Sequence, residues 1–105
     1  MSHRLPVIFR TWPKSKGVDT IALFPTVPED AHGRFCMSYQ HIGQHGGADM
    51  GFVATVARQA TRAEAAELRR ELEAAPYHYR LKRYYRESPA MRKARRDEAA
   101  RLWSA

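Results

Sequence analysis

Cysteine is nearly absent from this chain: Cys36 is the only one among 105 residues. A lone thiol excludes an internal disulfide and fits a reducing compartment, so the expected location is the cytoplasm. Long apolar runs are missing too. The longest, Ile21-Ala22-Leu23-Phe24, falls far short of the ~20 residues of a membrane-spanning helix, and no membrane partner is expected. The segment between Arg4 and Arg10 is short, mixed and interrupted by Pro6, unlike a signal peptide. Neither an HExxH sequence nor a Cys/His ligand cluster occurs, so no metal site and no cofactor is read from the residues. Repeats and low-complexity segments are lacking as well.

Acidic residues are the last scarcity. Eleven Asp+Glu face 18 Lys+Arg, a formal net charge of +7. The excess is concentrated in residues 76–96, where eight Lys+Arg stand against Glu87 alone. So local a surplus points to an anionic partner, nucleic acid first, or to solubility alone. At 44% hydrophobic residues the chain can bury a core, and its length suits one domain.

Leu5 to Trp12 is rich in β-formers and reads as a strand; Pro13 to Gly17 reads as a hairpin turn. Val18 to Phe24 is the second strand, its apolar end suiting a central position, with Pro25, Pro28 and Glu29-Asp30 marking a surface connection. Arg34 to Gln40 is the third. Its bulky odd positions (Phe35, Met37, Tyr39) should pack and its even ones (Cys36, Ser38, Gln40) face out. A glycine-rich loop follows, holding His41, Gln44, His45 and Asp49. Phe52 to Ala60 reads as either a short strand or a lead-in. Thr61 and Glu64 form a capping box for a helix with an Ala65, Leu68, Leu72, Ala75 stripe, stopped by Pro76. Tyr77 to Arg86 is a final strand, with Tyr77, Tyr79 and Leu81 on one face and His78, Arg80, Lys82, Tyr84 and Arg86 on the other. Ser88-Pro89 opens a last helix to about Trp103, with a thin apolar face of Met91, Ala94 and Leu102. The expected fold is α+β, an antiparallel sheet of about four strands packed on one helix. Residues 1–88 form the domain, and 89–105 add a basic C-terminal helix, docked or frayed.

Three segments, FRTW, IALFP and CMSYQHIGQHGGAD, followed by a helix and a Tyr-rich basic strand, carry a resemblance. Over roughly residues 7–86 the chain resembles a family of small uncharacterised bacterial proteins. No activity attaches to that family, so the resemblance assigns no residue a role.

The chemistry-bearing residues allow three classes of function. A non-enzymatic binding or accessory protein would meet phosphates with Arg80, Lys82 and Arg86, stack a base on Tyr84, and add the helical cluster Arg92, Lys93, Arg95 and Arg96. A small hydrolase or nuclease would use His41 and His45 as acid and base, with Asp49 beside them and Arg34 or Arg58 on a phosphate. The same loop side chains would otherwise tie down their own backbone. A Cys36–His41 or Cys36–His45 nucleophilic pair has no sequence signature. A structural module in which the last helix joins a neighbour's core, as a homo-oligomer, is the third class. The binding protein is the leading expectation.

Overall fold

The computed structural model of the chain describes residues 3–13, 20–41 and 44–104. Most of the expected 13–17 turn therefore lies outside the described residues. The order is β1 (Leu5–Thr11), β2 (Thr20–Pro28), β3 (Cys36–Gln40), β4 (Gln44–Ala48), α1 (Met50–Val56), β5 (Arg58–Gln59), α2 (Arg62–Glu73), β6 (Leu81–Tyr84) and α3 (Pro89–Trp103). No described helix is long and apolar enough to cross a membrane.

The fold is α+β as expected, but six strands replace the anticipated four. The sheet runs β4-β3-β2-β1-β5 with antiparallel neighbours. β6 joins it parallel to β1, from Leu5↔Leu81 to Ile8↔Tyr84, so β5 and β6 share one edge of β1 between them.

Both faces of the sheet are covered. Val7, Phe9, Ala22, Phe24 and Tyr39 pack on one side with Ala65, Leu68 and Leu72 of α2. Ile8, Ile21, Leu23 and Cys36 pack on the other with Met50 and Val53 of α1. Two-sided burial explains the unbroken apolar runs in β1 and β2. It also overturns the expected outward face of β3. Cys36 and Ser38 are buried because α1 covers their side, whereas Phe35 is exposed. Burial lifts the Cys36 thiol to about 11, with Arg95 pulling the other way, so it stays protonated at neutral pH.

Two further boundaries differ. β2 continues through Pro25 and Pro28, because a register shift between Phe24 and Pro28 removes the residues between them from the ladder, where proline's missing N–H costs nothing. The strand expected over 77–86 is reduced to Leu81–Tyr84. Upstream of it the backbone is tied to the end of α2 (Tyr77 N→Ala74 O and Tyr79 N→Leu72 O, each 3.0 Å), laying Tyr77 and Tyr79 over the α2-side core.

α2 begins at the expected capping box: Glu64 N donates to Thr61 Oγ1 (3.2 Å) and Thr61 N to Glu64 Oε1 (2.8 Å). Ala65, Leu68 and Leu72 are buried, but Ala75 lies past the helix and is exposed. Ser88 caps α3, its Oγ accepting from Met91 N at 3.1 Å. The anticipated apolar stripe does not dock this helix, since Ala94 and Leu102 are exposed. Arg95 and Ala99 are its buried residues, and it lies against β2. Arg95 Nε donates to Gly33 O (2.8 Å), while Nη1 donates to Pro25 O (2.7 Å) and to the Glu87 carboxylate. Gly33 has φ +69, and a Cβ there would stand 2.8 Å from Arg96 Cα. Only glycine both adopts that turn and admits the helix backbone so closely.

Two outcomes follow from these contacts. Arg95→Met strands Glu87 and two buried carbonyls, and should cost about 3–5 kcal/mol in urea unfolding; a parental midpoint would show that α3 is held by something else. Arg58, bonded to Glu64 at 2.9 and 2.8 Å, is the main cause holding the Glu64 carboxyl down at about 2 instead of 4.5, with Thr61 N next. A depressed folded value means this stabilisation is complete above the unfolded value and disappears as pH falls through the folded one. The stability difference between parent and Glu64→Gln should therefore be constant above 4.5 and shrink down to about 2. A pH-independent difference would refute the linkage.

Candidate functional site

The glycine-rich stretch is a strand of a hairpin rather than a free loop: β4 pairs with β3 from Gln40↔Gln44 to Cys36↔Ala48. This placement decides what its side chains meet. His41 follows β3, its Nδ1 2.6 Å from Glu71 Oε2, and Glu71 Oε1 accepts from the Tyr39 hydroxyl. His45, opposite Tyr39 in the register, sets its ring edge against Tyr39 (4.8 Å) and Tyr77 (5.4 Å). Asp49 is the N-cap of α1, with Oδ1 accepting from Phe52 N at 3.2 Å and Oδ2 3.9 Å from Arg34 Nε. His41 shares a hollow of about 190 Å³ with Thr20, Glu67, Leu68 and Glu71. His45 and Asp49 border another, of about 360 Å³, with Trp12 and Phe52. Both imidazoles lie on the α2 side of the sheet around Tyr39 and Glu71, and each has a partner in the scaffold. Among the described residues no group of three or more His, Cys, Asp or Glu is placed to hold a metal ion.

The basic residues are also divided. Only Lys82 and Tyr84 of the expected row lie within β6. Opposite Pro6 and Ile8 in the register, they share the sheet face that α1 covers. Tyr84 is half-buried there, with Lys82 Nζ 5.5 Å from its ring centre. Arg80 lies before the strand, in a polar hollow with Arg4, Arg69, Glu73 and Tyr79. Arg86 lies after it, in a cleft of about 480 Å³. On α3, Arg92 Nε is 3.5 Å from Glu87 Oε2, and Lys93 Nζ is 2.6 Å from Asp97 Oδ2. Arg96 is exposed. Arg95 is internal, its side chain 4% exposed, which removes it from any direct contact with a partner.

That cleft brings together residues far apart in sequence. Arg10, Arg86, Arg92, Glu87 and Tyr85 surround it, over Ile8, Met50 and Ala54. Arg86 and Arg92 were expected at a binding surface; Arg10 and Tyr85 were not. Arg10 Nη2 donates to Ala54 O at 2.8 Å, while its Nε is buried without an acceptor among the described residues. The available signal was a lone arginine inside the apolar strand VIFRT. Tyr85 is 51% exposed, with the Arg83 guanidinium 4.6 Å from its ring centre. Chemically the cleft combines cations with an apolar floor.

The hairpin contacts set an expectation. His45→Ala loses two edge-on ring contacts and should lower stability by about 0.5–1.5 kcal/mol. His41→Ala loses an exposed pair and should cost about 0–1 kcal/mol. Denaturant midpoints check both, and a His45→Ala protein as stable as the parent would contradict the scaffold role. No protein-family model, no curated protein and no solved structure matches this chain.

Proposed function

We propose that the chain is a non-enzymatic binding or accessory protein for an anionic partner, nucleic acid before others. The observation behind this reading is the gathering of Arg10, Arg86 and Arg92 around one cleft, with exposed Lys82 on the nearby strand β6. Basic residues that serve solubility alone have no reason to gather around one concavity. Lys82 in β6 and Arg86 just past its end, four positions apart, offer separate cations to different phosphates of one backbone. Tyr85 is the better stacking platform, because Tyr84 is half-buried beneath Lys82. A hydrolase would need His41 and His45 free to act on a substrate, whereas the first pairs with Glu71 and the second packs edge-on against Tyr39 and Tyr77.

Binding of a labelled single-stranded oligonucleotide should weaken with salt, with a log–log slope of about −0.7 per phosphate contacted. The double variant Lys82→Ala/Arg86→Ala should flatten that slope by about one to two contacts' worth while the protein remains folded. Tyr85→Ala should lower affinity and leave the slope alone. Fluorescence anisotropy at several salt concentrations reads all three. Absence of binding at low salt, from a folded sample, ends this reading.

A further inference from the structure

The geometry points to the cleft itself as a site for a dianionic phosphate monoester carrying a flat, largely apolar body, the chemistry of a nucleoside monophosphate. This deepens the binding reading above and rests on it through Arg86, which the two share. It goes further in placing a small molecule inside the concavity rather than a strand along its rim. Internal phosphates of a strand carry one negative charge each, whereas a terminal monoester carries close to two at neutral pH.

Volume is the first argument. About 480 Å³ falls within the roughly 300–1,000 Å³ typical of small-molecule sites. Charge is the second. The lining holds three guanidinium groups (Arg10, Arg86, Arg92) and one carboxylate, Glu87, a balance of 3 − 1 = +2. Glu87 is also already engaged, by Arg95 through Oε1 and by Arg92 through Oε2, and so repels an incoming anion less than a free carboxylate would. Guanidinium groups match phosphate oxygens with paired donors, which an ammonium group does not.

The third argument is preorganisation. The bond from Arg10 Nη2 to Ala54 O fixes that guanidinium against α1 before any ligand arrives. Its Nε is a buried donor that no acceptor among the described residues reaches, an arrangement that calls for an explanation in a folded protein. Arg86, exposed and lining the same cleft, can close on the same anion. The body of the ligand has its own surfaces. Ile8, Met50 and Ala54 form an apolar floor, and Gln59 adds an amide that can both donate and accept. Tyr85 lines this cleft as well as the hollow over Phe9 and Arg83, and its ring packs against the Arg83 guanidinium.

The test titrates the isotope-labelled full chain with adenosine 5′-monophosphate, adenosine and inorganic phosphate, following backbone amides by NMR. The monophosphate should move Gly51, Ala54, Gln59 and residues 85–87 along one saturating curve. Phosphate should move the same amides more weakly, and adenosine should need far higher concentrations. Arg86→Gln, an exposed substitution, should weaken monophosphate binding by about tenfold or more without disturbing distant resonances. Arg92→Gln provides a second variant should the first perturb the β6–α3 connection. Absence of cleft shifts at millimolar monophosphate overturns the proposal. So do shifts spread equally over Arg4, Arg80 and Arg96, an adenosine response matching that of the monophosphate, or unchanged affinity in both variants. Oligonucleotide binding without cleft occupancy sinks the small-molecule site and leaves the strand reading standing; cleft occupancy without oligonucleotide binding supports the site and removes the strand reading.

Discussion

One buried guanidinium ties the C-terminal helix to the rest of the fold. Arg95 reaches from α3 to the carbonyl of Pro25 in the irregular end of β2, to the carbonyl of Gly33 in the following turn, and to Glu87 ahead of its own helix. A charge taken out of water is costly unless it is paired and its donors are filled, and here one carboxylate and two carbonyls do both. The geometry is demanding enough to dictate residues nearby. Gly33 adopts a left-handed turn so that the α3 backbone can come close, and β2 departs from its ladder where Pro25 presents its carbonyl. With α3 in place beside α1, the second sheet face is covered and the Cys36 thiol is sealed beneath it.

The same economy runs through the other arginines. Arg10 bonds Ala54 O, Arg69 bonds Leu81 O and Arg83 bonds Ala60 O, each guanidinium filling a carbonyl that its neighbouring elements leave open. Arg58 braces the first turn of α2 through Glu64. Formal charge therefore overstates what a partner can touch. Part of the excess that the composition advertises is internal carpentry. What is left for the surface is spread more widely, with Arg86 at the cleft, Lys82 on β6 and Arg62, Arg70 and Arg96 exposed on the helices.

Features decided by neighbours in sequence were legible in the residues. The Thr61–Glu64 capping box, the Ser88-Pro89 start of α3 and the β1 strand each depend on contacts a few residues apart, and the α+β class follows from them. Features decided by distant partners were not. A glycine-rich segment argues against a strand on propensity, yet β4 forms because β3 offers it a full ladder. That His41 and His45 meet Glu71 and Tyr77, some thirty positions away, could not be read from the sequence. The α3 docking surface was sought among apolar residues, whereas the decisive side chain is an arginine. Arg86 and Arg92 drew notice because charge clustering is a local signal. Arg10 was hidden because only the sheet brings β1 to face α3.

The parallel pairing of β6 with β1 also has a consequence for the living chain. β1 is synthesised early, but the strand that flanks residues Leu5–Ile8 is completed only at Tyr84. Throughout that interval the nascent polypeptide carries an open edge of an apolar strand, the kind of surface that recruits stray strands. The amide of Leu5 waits at that edge for the carbonyl of Arg80, so the edge closes only when the sixth strand emerges from the ribosome.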